Sequence, residues 1–133
     1  MILRLTIVLL CMSIVPGFSQ NSKSILAEAN SIDALIEFSK SHSGYGIPQW
    51  ASFSHGDLPI FVIWNDPFSG RSAVFVRAYF KQDDKWKLFL DTLIESTSWV
   101  SPRLSGEADT LVFYAAKDKE ALQVSLKNLK PLK

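Results

Sequence analysis

The two histidines, with one nearby aspartate, are the first residues to consider for chemistry. His42, His55 and Asp57 lie close together along the chain. Imidazole and carboxylate groups are suitable ligands for zinc or copper. No His-x-x-x-His spacing on a helix fixes a geometry for them. These three residues are the candidate metal ligands, but the pattern predicts neither a bound metal nor another cofactor.

The same histidines are the only side chains that could act as a base for a serine nucleophile. The sequence Phe68-Ser69-Gly70 lacks the leading glycine of a G-x-S-x-G elbow. There is no P-loop and no complete G-x-G-x-x-G motif. We therefore predict no catalytic residues and favour a non-enzymatic module that binds a protein or a small ligand. The alternative is a small enzyme with a pocket between helix and sheet, using His42 or His55.

Aromatic residues provide the candidate binding surface. The segment Ser41–Asp57 is rich in glycine and aromatic residues and poor in charge, which predicts a long loop. Such loops often carry binding sites, although its aromatic residues could instead cover one end of the core. The candidate contact residues are Tyr45, Trp50, Phe53, His55, Trp99 and Arg77.

Arg77 belongs to this set because it lies among apolar residues on a predicted strand. Its guanidinium could stack on Phe75 or Tyr79 at the outer face of the sheet. The alternative is that its aliphatic stem packs on the sheet and its charge stays in water.

The stretch Leu58–Glu95 predicts the sheet that positions these residues. An apolar run from Pro59 to Trp64 favours a strand buried on both faces. Alternation in the next run places Val74, Val76, Ala78 and Phe80 toward the core. A charged hairpin loop, Lys81–Lys85, leads to a third strand. On that strand Trp86, Leu88 and Leu90 alternate with polar residues, and we expect Phe89 to pair with aromatic residues on the outer face.

One helix precedes the sheet. Apolar residues between Asn21 and Ser41 follow helical spacing. Two forms are possible: one helix kinked near Asn30, or a turn followed by a helix from Ser31, with Asn30 or Ser31 as the cap. We expect Gly44 to end the helix.

The C-terminal half predicts a second hairpin. Pro102 and Gly106 indicate a connection rather than a strand. Thr110–Ala116 and Ala121–Leu126 read as two strands joined by a charged turn, the second at a sheet edge. The fold class is therefore α+β: one N-terminal amphipathic helix packed on an antiparallel sheet of four or five strands in meander order.

The first nineteen residues predict a cleaved signal peptide. Arg4 precedes an apolar run from Leu5 to Val15, and small residues at Gly17 and Ser19 suit cleavage after Ser19. Residues 1–19 are then the signal, and residues 20–133 are one domain. Cys11 is the only cysteine, so the mature chain is cysteine-free. These features predict a secreted or periplasmic protein with no stable membrane anchor once the signal is cleaved.

The balance of basic and acidic residues indicates which class of partner the chain can bind. The whole chain has 14 basic and 13 acidic residues, and removal of Arg4 leaves equal numbers of each. Binding to phosphate backbones needs a concentrated basic surface. We therefore predict a protein or small-molecule partner rather than nucleic acid.

Overall fold

The computed structural model describes residues 26–42, 47–66, 73–95, 100–105 and 109–132. Within these ranges one α-helix and eight strands follow in the order β1 (Glu28–Ala29), α1 (Ile32–His42), β2 (Ile47–His55), β3 (Leu58–Asp66), β4 (Ala73–Gln82), β5 (Lys85–Glu95), β6 (Ser101–Ser105), β7 (Thr110–Tyr114) and β8 (Glu120–Ser125), with a 3₁₀ turn at Ala116–Asp118. No helix in this part of the chain has the length and hydropathy needed to cross a membrane.

Helix α1 begins where Ser31 caps it. The backbone N–H of Ala34 donates to the Ser31 hydroxyl at 3.1 Å, which satisfies one of the free donors of the first turn. Asp33 adds a negative charge there. The second predicted form of the helix is therefore the observed one. A continuous helix kinked near Asn30 is wrong, because residues Glu28–Ala29 form β1. Gly44 lies outside the described residues.

Five antiparallel strands form the larger sheet in the order β1-β5-β4-β3-β2. The four strands from β2 to β5 are consecutive hairpin neighbours, as the meander predicts. Gly56 has a φ of 61° in the two-residue turn between β2 and β3. Asp83 and Asp84, with φ of 55° and 62°, form the turn between β4 and β5, a conformation that short polar side chains tolerate.

Three further strands form a second sheet in the order β6-β7-β8. It packs on one face of the larger sheet, while α1 packs on the other. The antiparallel α+β architecture is as predicted, but the sequence did not indicate two stacked sheets. The predicted hairpin of the C-terminal half is β7 and β8, and β8 lies at a sheet edge as expected.

Two segments predicted as connections are strands. The predicted loop Ser41–Asp57 contains β2, and the predicted connection after Val100 contains β6. Both strands lie at sheet edges. Pro48 and Pro102 are tolerated there because an edge strand needs hydrogen bonds on one side only. The proline and glycine content therefore gave the wrong prediction for these two segments.

Strand β3 separates two apolar clusters. Ile60, Val62 and Trp64 point toward the second sheet, where they meet a cluster that includes Val76 and Phe113. Phe61 and Ile63 point toward α1, where a smaller cluster includes Leu35. The five side chains from Ile60 to Trp64 are all buried. This confirms the prediction of a strand buried on both faces.

A bulge at Phe89 changes which side chains of β5 share a face. Ala78 pairs with Leu90 but Tyr79 pairs with Leu88, so Phe89 is the extra residue. Trp86 and Leu88 therefore pack toward α1, whereas Phe89 and Leu90 pack toward the second sheet. Phe89 meets Phe80 edge-on at 5.8 Å between ring centroids. The expected outer-face position of Phe89 is wrong for this reason.

Candidate functional site

A cleft lies at one side of the stacked sheets. Its volume is about 310 Å³, which is at the lower end of the range for small-molecule sites. One wall is the end of β5, and the opposite wall is the connection from β7 into β8. The lining residues are Leu93, Ile94, Glu95, Ala115, Lys119, Glu120, Ala121 and Leu122.

The cleft lies at the C-terminal end of β5. Side chains of successive strand residues point to opposite faces, yet Leu93, Ile94 and Glu95 all line the cleft. Such a cleft lies at the edge or the end of the strand rather than on one face of the sheet. Leu93 is 48% exposed there.

The backbone of this edge is open in the described chain. Strand β1 pairs with β5 only at Trp86 and Lys87. At Leu88, the N–H donates to the Ala27 carbonyl at 2.9 Å and the carbonyl accepts from the Leu132 N–H at 2.8 Å. No described strand pairs with the outer side of residues 89–95.

Charged groups stand at the rim of the cleft, and apolar groups form its floor. Ile94 is 5% exposed, and Leu122 is partly buried against the core. Neither Glu95 nor Lys119 has an ion-pair partner among the described side chains. The Glu120 carboxylate accepts a hydrogen bond from the Gln123 amide. An occupant with apolar side chains and a hydrogen-bonding backbone fits this arrangement.

The predicted aromatic contacts do not form one surface in the described structure. Trp50 lies on edge strand β2 and is 42% exposed, on the side of the sheet that carries α1. Phe53 lies on the opposite side of the same strand, partly buried against the core. Phe53 is thus a core-covering residue. Tyr45 and Trp99 lie outside the described residues.

His55 takes part in a polar contact at the end of β2. Its Nε2 lies 3.4 Å from Oδ1 of Asp109, and the Lys127 ammonium lies 4.0 Å from Oδ2 of the same carboxylate. Asp57 is exposed in the adjacent turn. The described residues contain no group of three or more side chains placed to hold a metal. The backbone of His42 ends α1, and its side chain lies outside the description.

Arg77 lies at the helix-facing side of the larger sheet. Its Nε is 3.3 Å from Oδ1 of Asp91; the Arg77 side chain is 18% exposed, whereas Asp91 is an exposed residue on the strand. Its guanidinium lies over the Phe75 ring, 5.8 Å from the centroid. Together with Tyr79 it lines a cavity of about 10 Å³ beneath α1. This space holds no substrate larger than a water molecule, and His55 does not line it.

Tyr79 packs between the larger sheet and the segment that precedes α1. Its hydroxyl donates to the Leu26 carbonyl at 2.6 Å. Burial raises the pKa of Tyr79 from 10.0 to about 12; the nearby Arg77 guanidinium lowers it and Asp91 raises it. The phenol therefore stays neutral at any physiological pH and acts as a structural donor.

Sequence reasoning missed the cleft because no local pattern marks it. Its walls come from β5 and β8, which belong to different sheets. The one available signal was Leu93, which is apolar at a position facing away from the core. Comparison with protein-family models, with curated proteins and with solved structures gave no match.

Proposed function

We propose that the protein is an exported, non-enzymatic binding module that holds an extended peptide segment in the cleft between β5 and β8. The observation that supports this proposal is the open edge of β5 along one wall of the cleft. Extended peptides bind exposed strand edges through backbone hydrogen bonds, and pockets beside the edge select their side chains. The apolar floor suits an apolar residue at alternate positions of such a peptide.

The alternative enzymatic function has less support. It needs a pocket between helix and sheet, and the described cavity there is about 10 Å³. It also needs a base in that pocket: His55 lies instead at the end of β2 beside Asp109, and the side chain of His42 lies outside the description. The 3.4 Å between His55 Nε2 and the carboxylate is longer than the roughly 2.6–3.2 Å of a general acid–base contact, and no described nucleophile is bonded to His55.

A peptide library selected on the wild-type protein tests the proposed function. Random peptides of about eight residues fall within the usual range of strand lengths. Enriched peptides are then synthesised, and their dissociation constants are measured by calorimetry. Peptides with apolar residues at alternate positions should be enriched, because alternate side chains of a bound strand face the cleft.

A matched pair of variants on β8 locates the site. Ala121 lines the cleft, and Ser125 lies four residues along the same strand, outside the lining. Both are exposed, so substitution leaves the core intact. Ala121→Arg should weaken binding of the enriched peptides by about tenfold or more, equivalent to about 1.4 kcal/mol. Ser125→Arg should leave it unchanged. Equal binding by wild type and Ala121→Arg would falsify the location.

Export is tested separately by the intact mass of the protein purified from its own host. A chain that begins at Gln20 supports cleavage after Ser19 and a secreted or periplasmic location. A full-length mass contradicts it.

A further inference from the structure

Strand β2 forms an outer edge of the larger sheet, away from the cleft, and it differs from the other edge strands in its residue composition. Its nine residues contain no Lys, Arg, Asp or Glu. Natural proteins usually protect edge strands with charges, prolines, bulges or short length. Strand β1 is only two residues long, β6 carries Arg103 and β8 carries Glu120. Among the described edge strands, β2 is the one that is both long and uncharged, and Pro48 near its start is its one protective residue.

Hairpin geometry shows which backbone groups of β2 face outward. His55 and Leu58 flank the two-residue turn, and residues that flank such a turn exchange both hydrogen bonds with each other. Odd-numbered residues of β2 therefore bond to β3. The backbone groups of Pro48, Trp50, Ser52 and Ser54 point away from it. Pro48 lacks an N–H, but three outward donors remain.

We infer that this edge pairs with β2 of a second copy of the chain, antiparallel about a two-fold axis at Ala51. This inference goes beyond the proposed function and rests on a different edge. Ala51 is the middle residue of Ile47–His55, so this register matches every residue of the strand. Outward-facing residues then oppose outward-facing residues, which gives about six hydrogen bonds across the axis.

Side chains fit the same register. Trp50 lies opposite Ser52 of the second copy, so a large residue meets a small one on the helix-facing side. The two Trp50 rings are diagonal neighbours across the axis, with Cα atoms about 7–8 Å apart, within reach of aromatic contact. Phe53 lies opposite Gln49 of the second copy on the other side. Since the strand is uncharged, no like charges meet, and the contact is isologous as a two-fold dimer requires.

Sedimentation equilibrium of the chain as its host processes it, from about 1 µM to about 1 mM, tests the dimer. Wild type should show a concentration-dependent dimer. Ser52→Lys should raise the dissociation constant at least tenfold, because two added ammonium groups then lie near the axis. Gln123→Lys on the edge of β8 is the control and should dimerise as wild type does. Circular dichroism checks that each variant is folded.

Cross-linking tests the register. Opposed residues without mutual hydrogen bonds have Cα atoms about 4.5 Å apart, within the range for a disulfide. Ala51→Cys should form a disulfide-linked dimer under mild oxidation, above any product seen with wild type. Ser54→Cys should not, since Ser54 opposes Pro48 of the second copy.

Three results overturn the inference. They are a monomer throughout the concentration range, a dimer that Ser52→Lys does not weaken, and equal cross-linking at both cysteine positions. A monomer that instead binds a synthetic peptide of alternating valine and threonine along β2 would assign the edge to another protein's strand. Loss of peptide binding at the cleft in a dimer that still forms would leave this inference standing.

Discussion

Replacement of Tyr79 by phenylalanine tests how α1 and the segment before it are held on the sheet. The Tyr79 ring is 2% exposed, and its hydroxyl donates to the Leu26 carbonyl at 2.6 Å. A typical hydrogen bond contributes about 0.5–1.5 kcal/mol, and loss of the donor leaves a partly buried carbonyl without its partner. Tyr79→Phe should therefore lower the free energy of unfolding by about 1–2 kcal/mol near neutral pH.

Alkaline pH gives this prediction a second signature. The pKa of Tyr79 is about 12 in the folded chain and near 10.0 in the unfolded chain. Between these values the unfolded chain loses a proton that the folded chain keeps, so stability falls as pH rises. The tyrosine contribution is complete below about pH 10 and is lost progressively toward pH 12. From about pH 8 to about pH 11 the loss amounts to about 1.4 kcal/mol.

Urea unfolding of wild type and Tyr79→Phe at both pH values measures the effect. Other groups titrate in both proteins alike, so the difference between the two isolates Tyr79. The advantage of wild type should shrink nearly to zero at the higher pH. Tyr114→Phe is the control, since no described group bonds the Tyr114 hydroxyl, and its stability should stay within about 0.5 kcal/mol of wild type. A gap between wild type and Tyr79→Phe that is the same at both pH values would refute the burial argument.

Two further substitutions test the helix start and the partly buried Arg77–Asp91 ion pair. Ser31→Ala should cost about 1 kcal/mol of unfolding free energy because it removes the cap of α1, while Ser41→Ala in the last turn should cost less than half of that; equal losses in urea unfolding would argue against a cap. Asp91→Ala should cost about 1 kcal/mol because it leaves the partly buried Arg77 guanidinium without its ion-pair partner, whereas Lys85→Ala breaks an exposed pair and should cost at most about 0.5 kcal/mol. Similar losses of unfolding free energy for Asp91→Ala and Lys85→Ala would show that burial does not strengthen the Arg77–Asp91 pair.

Local patterns were sufficient for the elements whose environment is uniform along the chain. The apolar run of β3 and the alternation of β4 predicted their burial, because each side chain meets the same layer throughout. The serine cap and the charged turn at Asp83-Asp84 were also visible locally. Export rests on the N-terminal pattern alone and stays a prediction, since residues 1–25 lie outside the described structure.

The same reasoning failed where local signals conflicted. The segment with β2 contains Pro48 and Gly56, yet Ala51, Phe53 and His55 alternate with exposed serines. Alternation was the better signal, because a proline disrupts only the side of a strand that needs its N–H. The bulge at Phe89 could not be read from sequence, since it depends on the register against β4.

The candidate sites were decided by tertiary structure. Two sheets stack so that β5 and β8 enclose a cleft, and no short-range pattern records which edges come together. Whether the outer side of β5 is open depends on where β1 stops pairing, at Lys87, and on Leu132, far away in sequence, whose N–H donates to the Leu88 carbonyl. The sequence by itself determined the types of the residues, their alternation and the neutral charge of β2. Only the fold decided which of them face an open edge, because pairing between distant strands sets what each strand leaves exposed.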